Sequence, residues 1–388
     1  MTRLFISLLL AVCALTIAHA QTKVPVFISG EEGHSTYRIP SIINLPNGDL
    51  LAIAEGRVHG EADFGDVNLV MKRSTDRGRT WNALRVLIDN VNLQAGNPAP
   101  VVDLLDPQYP QGRIFLFYNT GNNHENEVRK GNGFREAWYI TSHDNGMTWS
   151  DPVNITKAVH RPKQPNANPE YNFDEDWRSY ANTPGHALQL TSGPYRGRIF
   201  VPANHSAGEL HPESKDFSSH GYYTDDHGRT FHLSNTVNIA GSNEATAAEL
   251  GDGSLIMNMR NQSGDKKARI VAISSTGGAS WDTAYFDMNL PDPVCQGSIL
   301  TIGKRKGKSI LAFSNAADEH NRDNLTLRIS FDDGKTWPVS KVVDRSPSGK
   351  ELDHAAYSDL VKMGKRKVGV LYEQGDYSRI LFSVIRWN

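Results

Sequence analysis

The apolar positions of this 388-residue chain fall mostly in short runs rich in β-branched and aromatic residues, among them RIFLFYNT from Arg113, RIFVPANH from Arg198, SLIMNMR from Ser254, SILAFSN from Ser309, KVGVLYE from Lys367 and ILFSVIRW from Ile380. Turn residues separate them, and glycine and proline together account for 52 positions. Such runs read as strands, and no long segment keeps a helical period, so the chain is expected to be all-β.

An octapeptide punctuates the strands. STDRGRTW starts at Ser74, SHDNGMTW at Ser142 and SFDDGKTW at Ser330, with a near copy, TDDHGRTF, at Thr224 and a worn one, SSTGGASW, at Ser274. Each follows a strand-like run, which places the D-x-G core in a tight turn, where glycine allows positive φ and aspartate bonds nearby amides. A calcium loop would need more oxygen ligands and a terminal glutamate, so a structural turn is the stronger reading. The copies recur at a mean spacing of 64 residues, which predicts a little under six units of about four strands, the size of a β-propeller blade.

The N-terminal MTRLFISLLLAVCALTIAHAQ departs from this pattern. An early arginine, an apolar run from Leu4 to Ile17 and Ala18-His19-Ala20 predict a signal peptide over residues 1–20, followed by one propeller domain over 21–388. The expectation is export to the periplasm or the medium. Acylation of Cys13 is the weaker alternative, because Val12 is a poor fit for the small residue a lipidated cysteine needs before it. Removal of the leader leaves Cys295 as the single cysteine, so no internal disulfide is expected. A formal charge of −2 and the lack of a basic tract point away from nucleic acid, and no other segment is long and apolar enough to span a membrane.

Residues outside the repeat are where function is expected. Arg38 in STYRIPSI, Arg260 in LIMNMRNQ and Arg322 in NRDNLTLR lie on different predicted blades and could converge on the propeller axis. Singly, each reads best as a surface or ion-paired residue. Converging guanidinium groups make sense around an anion, since their planar forks bind carboxylate in charge-assisted pairs.

The Tyr37-Arg38-Ile39-Pro40 segment, the repeated octapeptides and the ordered arginines together resemble the exo-sialidase (neuraminidase) family over essentially the whole mature chain. The resemblance implies a six-bladed β-propeller that removes terminal sialic acid from glycoconjugates and works without metal or other cofactor; separately, a monomer is expected. It assigns Arg38, Arg260 and Arg322 to the sugar carboxylate and Arg57 to the pocket. Asp63 becomes the acid/base residue, with Glu61 and Asp66 as flanking alternatives. Tyr357 in AAYSDL becomes the nucleophile and Glu244 its base, while Glu249 reads as structural. Glu373 is assigned to holding Arg38. Trp177, Tyr180 and His205, in or near the long polar segment 160–190, either touch the sugar or pack the loop.

These residue types suit the chemistry. The anomeric carbon of sialic acid bears a carboxylate, which would repel the carboxylate nucleophile of ordinary retaining glycosidases. A neutral phenol avoids the repulsion, but its pKa of about 10 calls for an adjacent base. Two rival readings remain: a non-catalytic sialic-acid-binding propeller, and a trans-sialidase or anhydro-forming enzyme that would share every residue named.

Overall fold

The computed structural model of the chain describes residues 22–347 and 353–387; the expected signal peptide, its cleavage site and Cys13 lie outside them. The apolar runs form the strands Arg113–Gly121, Ile199–Ala207, Leu255–Asn261, Lys308–Ala316, Lys367–Gln374 and Arg379–Arg386. The helices among the described residues, Glu125–Arg129 and Thr156–Val159, are very short. Almost every strand pair is antiparallel and sequential, so the chain builds one sheet after another. The early strand Lys23–Ile28 breaks that order by pairing with Arg379–Arg386, which ties the first described strand to the last.

The all-β propeller is borne out, but the count of six blades is corrected. Four discrete blades of four or five strands are present, together with one continuous sheet of eight strands. Repeated turns count groups of strands and carry no information on whether neighbouring groups hydrogen-bond. Here the strand Val67–Ser74 pairs in parallel with Gln94–Asp103 at Val67 and Gln94, which joins the strands of the first two octapeptides into one sheet. The sheet that holds the first and last described strands carries no octapeptide among the described residues.

The octapeptides act as the sequence suggests. Asp76 accepts the amides of Arg79 and Thr80 at 3.0 and 2.9 Å and the Thr80 hydroxyl at 2.7 Å, while Ser74 accepts the Gly78 amide at 2.7 Å. These bonds stabilise the ionised carboxylate and lower its pKa to about 2. Gly78 has φ +82°, and a Cβ there would meet the Phe382 ring at 2.1 Å, which leaves no room for another residue. In the worn copy the Thr276 hydroxyl replaces the carboxylate and accepts the Ser280 amide at 2.9 Å. Trp81 packs edge-on against Phe382 of the neighbouring sheet, so the turn also wedges two sheets together.

One strand from each discrete blade and two from the eight-stranded sheet, Thr36–Asn44 and Gln94–Asp103, pack against one another around the axis. There the buried Asp359 of Ala355–Lys362 accepts the Ile42 amide at 2.9 Å, the His186 amide at 3.1 Å and ring at 2.7 Å, and the Ser298 hydroxyl at 2.8 Å. One carboxylate thus joins segments from several sheets.

The blade built on Ile199–Ala207 holds an unusual core. His160, His205 and His220 are all buried, and the Trp177 ring stacks on His205 at 3.6 Å. Burial drives all three imidazole pKa values below the ordinary histidine value, His220 to about 3, with nearby positive groups adding to the effect. The unfolded chain therefore binds these protons more readily, and stability present above about pH 6.5 is lost as pH falls below it. The expected slope is about 1.4 kcal/mol per pH unit for each imidazole. Urea unfolding between pH 7 and 5 measures it, and His220→Phe should flatten the curve if the protein folds.

Candidate active site

Four axial strands share a local irregularity. The register shifts between Arg38 and Ser41, Gly96 and Ala99, Ser242 and Ala245, and Ala355 and Ser358. Arg38 flanks the first bulge, Asn97 lies in the second, Glu244 in the third and Tyr357 in the fourth. A bulge bends the strand and re-aims its side chains, which turns these residues toward the axis. Ile39 and Asn97, with φ 57° and 54°, show the local backbone distortion. No composition signal marked these bulges.

The bulges bring the expected residues together. The Tyr357 hydroxyl donates to the Glu244 carboxylate, with O–O distances of 2.7 and 2.8 Å, and accepts from Arg260 Nη1 at 2.8 Å. Arg260 also pairs with Glu244 at 2.8 Å. The guanidinium carbons of Arg38 and Arg322 lie 5.4 and 5.6 Å from the Tyr357 ring centroid, so all three arginines surround one phenol. Burial and the Glu244 charge hold that phenol well above its ordinary pKa, against the opposing pull of Arg260 and Arg322. The hydroxyl therefore keeps its proton until a base accepts it.

Glu373 sits behind the cavity. Its carboxylate accepts Arg38 Nε at 2.7 Å and the backbone amides of Ile39 at 2.9 Å and Tyr357 at 3.2 Å. It thereby holds an arginine and the nucleophile candidate's backbone at once.

Arg57 ends the strand Leu50–Arg57, and Asp63 occupies the loop that follows. Arg57 Nη1 lies 2.8 Å from Asp63 Oδ1 and Arg57 Nη2 lies 2.7 Å from Glu55 Oε2. The Asp63 side chain is 78% exposed at the mouth of the site. Desolvation pushes its pKa up, but the charges of Arg57, Arg38 and Arg135 outweigh this and hold it below the ordinary aspartate value. Glu61 and Asp66 do not line the cavity, whereas Asp63 does. Glu249 is buried and accepts the Thr191 amide at 3.0 Å and hydroxyl at 2.6 Å, a structural place.

The cavity so formed has a volume of about 280 Å³, and seven of the eight expected site residues line it, Glu373 being the one that lies behind. It opens at the end of the strands away from the octapeptides: Arg57 pairs with Val67, and Leu50, at the other end of the same strand, pairs with Ser74. Seven residues of strand put these ends roughly 23 Å apart. Trp177, Tyr180 and His205 do not line the cavity and pack inside their blade, so loop packing is their role.

Several site residues escaped the sequence reading. Glu55 was findable, since Glu55 and Arg57 alternate onto one face of their strand. Tyr377 was not, because it sits in the turn after Lys367–Gln374 with φ 59°, following Asp376 at 53°. Consecutive left-handed conformations in non-glycine residues are strained, and such strain concentrates at functional sites. The Tyr377 ring lies 3.7 Å from the Arg38 guanidinium carbon; its hydroxyl accepts from Arg322 at 3.1 Å and donates to Asp353 at 2.9 Å. Tyr377→Phe keeps the stacking but removes the bridge to Arg322. The expected result is a KM raised roughly tenfold with kcat little changed, because a hydrogen bond to a charged group contributes about 1.5–3 kcal/mol. A parallel loss of kcat would contradict this positioning role.

The site suits an anion better than a metal. Glu55, Asp63, Glu244 and Glu373 are each paired with arginine. Among the described residues, Asp103, Asp106 and His227 have the spacing to hold a metal ion, but His227 bonds Asp103 at 2.8 Å and Arg113 pairs with Asp106 at 2.9 Å. Arg113 already supplies a cation there.

A repeat-built β-propeller with an arginine-lined anion cavity is the class that this fold and site define. The chain belongs to the BNR repeat-like domain family, whose profile matches residues 48–370, and it is similar to sialidases, bacterial ones among them. It is 33% identical to a sialidase of Micromonospora viridifaciens over 94% of this chain and 54% of that protein. An exo-alpha-sialidase of Arthroderma benhamiae is 29% identical over 92% of this chain and 83% of that one. Among solved structures, the Hadza microbial sialidase Hz136 superposes with a TM-score of 0.76 at 25% identity, covering 93% of this chain and 68% of that one. The chain thus spans about half the length of the Micromonospora relative.

Proposed function

We propose that the chain is an exo-α-sialidase that hydrolyses terminal sialic acid from glycoconjugates with retention, through a covalent bond to Tyr357. The observation that supports this best is the convergence of Arg38, Arg260 and Arg322 around a phenol whose hydroxyl is bonded to Glu244. Similarity to sialidases from bacteria and fungi supports the glycosidase class and a sialylated substrate.

In this reading the three arginines hold the sugar carboxylate, which fixes the anomeric carbon beside Tyr357. The phenol oxygen attacks that carbon, its proton passes to Glu244, and Arg260 stabilises the charge that develops on the oxygen. Asp63 protonates the departing oxygen and then removes a proton from the water that cleaves the sugar–tyrosine bond.

Asp63 imposes the pH dependence. Its lowered pKa in the free protein leaves it ionised at neutral pH, whereas the first step needs it protonated. A bound carboxylate offsets the arginine charges that depress Asp63, and raises its proton affinity within the complex. Hydrolysis of a panel of fluorogenic α-sialosides without added metal should therefore be fastest on the acid side of neutrality. An alkaline optimum would contradict the role of Asp63, and no release on any member of the panel would contradict the activity.

A further inference from the structure

Asp63 sits on a loop that is anchored firmly at its ends. The loop leaves the strand Leu50–Arg57 and returns at Val67, and Val58 closes it by donating its amide to the Asp66 carbonyl at 3.0 Å. Ser35 holds the same end, its hydroxyl donating to the Val58 carbonyl at 2.6 Å. Between these anchors stand Gly60 and Gly65, with φ 151° and 141°, conformations that favour glycine. A Cβ at either would meet no non-adjacent atom within 4 Å. Glu61, Ala62, Asp63 and Phe64 thus hang between two pivots, the first three exposed and Phe64 half-buried.

Phe64 turns back onto the protein. Its ring centroid lies 5.1 Å from that of His124, with the ring planes tilted by 56°, a spacing at which aromatic pairs attract. His124 is a firm seat. It occupies the N-cap of the helix Glu125–Arg129, where its carbonyl accepts the amides of Glu127 and Val128 at 2.9 Å and its own amide donates to Asn123 Oδ1 at 2.8 Å. Glu125 accepts the Ser179 hydroxyl at 2.8 Å, and Arg129 donates to the two oxygens of Asp216 at 2.9 and 2.7 Å. The helix is thereby tied to the neighbouring blade.

Asp63 therefore has two restraints, its ion pair with Arg57 and the ring contact of the next residue. They respond differently to the reaction. The ion pair is strong while Asp63 is ionised, but the bond to the leaving group breaks when Asp63 carries a proton, and that proton removes the charge Arg57 attracts. Arg57 then keeps Glu55 and the Glu61 carbonyl as partners. The ring contact involves no carboxylate, so it is the same in both protonation states of Asp63.

We propose that Phe64 and His124 are positioning residues, whose ring contact latches the loop and keeps the protonated Asp63 at the departing oxygen once its ion pair with Arg57 is discharged. This deepens the sialidase reading and rests on it. A misplaced acid slows the step that needs the proton. A phenolate departs with little help, whereas a sugar alkoxide does not, so loss of the latch should be felt on natural glycosides and hardly on aryl ones.

The test compares kcat/KM on 4-methylumbelliferyl α-sialoside and on sialyllactose, since this ratio reports the steps up to cleavage of the glycosidic bond. Phe64→Ala and His124→Ala should each lower the value on sialyllactose roughly three- to tenfold, the range of one aromatic contact, and that on the aryl sialoside by less than about twofold. The double variant should be no worse than either single one, because both remove the same contact. Phe64→Tyr and His124→Phe keep a ring at each position and should retain activity on sialyllactose. Equal losses on both substrates, no loss on sialyllactose, or additive losses in the double variant would overturn the latch. If the wild type turns over neither substrate, the hydrolase reading fails by itself, and hydrogen exchange decides the latch. Both alanine variants should then speed exchange in the peptide spanning residues 58–66, and unchanged exchange there would overturn it.

Discussion

Tyr357→Phe is expected to lower kcat on an α-sialoside by on the order of 10²–10⁴-fold while the protein stays folded and still binds the sugar. The ring remains packed against Ile39, Cys295 and Tyr377, so the core loses little. What disappears is the oxygen bonded to Glu244 and Arg260. Binding is carried by arginines whose other partners remain, Arg38 on Glu373 and Arg322 on Tyr377. The dissociation constant of a carboxylate-bearing sialic acid analogue should therefore move much less than kcat. Near-normal turnover would mean that another group attacks the anomeric carbon.

Glu373→Leu is expected to affect stability and binding together. Glu373 is fully buried and its carboxylate faces Arg38, which is also buried. Removing one partner of a buried pair leaves the other charge uncompensated, at a cost of about 3–5 kcal/mol. The change also strips the acceptors from the amides of Ile39 and Tyr357, which anchor two of the bulges. Chemical denaturation should show the loss of stability, and the variant should bind the carboxylate ligand weakly even where it is folded. Glu373→Gln keeps an acceptor but not the charge, so it should lie between wild type and leucine in both measurements. A leucine variant as stable as wild type would show that Arg38 finds another counter-charge.

These expectations rest on features that the sequence revealed unequally. Strands were legible because their apolar runs are short, β-branched and bounded by turns, as in Arg113–Gly121 and Lys367–Gln374. The octapeptide was legible as a turn because its serine, aspartate, glycine and threonine each make a local bond. It misled on blade number, since the pairing of Val67 with Gln94 is a contact between segments that no repeat period encodes.

The candidate site shows the same division. Arg38, Arg57, Asp63, Glu244, Arg260, Arg322, Tyr357 and Glu373 were picked by resemblance, and the fold brings them into contact from strands and loops across the chain. Their mutual distances are consequences of bulges that composition does not mark. Tyr377, Gln94 and Arg135 had no local signal at all. Tyr377 matters because a strained turn puts its ring against Arg38, and Arg135 stands out because, among the described residues, its buried Nε has no hydrogen-bond acceptor. Trp177 and His205 illustrate the converse, since an aromatic-rich segment that suggested sugar contact instead fills a blade core.

The central claim is that Tyr357 forms the covalent bond. A 2,3-difluorinated sialic acid tests it directly, since fluorine at C3 destabilises the cationic transition state and slows breakdown of the sugar–enzyme bond, while fluoride at C2 departs readily. Mass spectrometry of peptides from the inactivated protein should find a single sugar adduct, carried by the peptide containing Tyr357 and located on that residue. An adduct on any other residue, or none in a preparation that hydrolyses sialosides, would contradict the account.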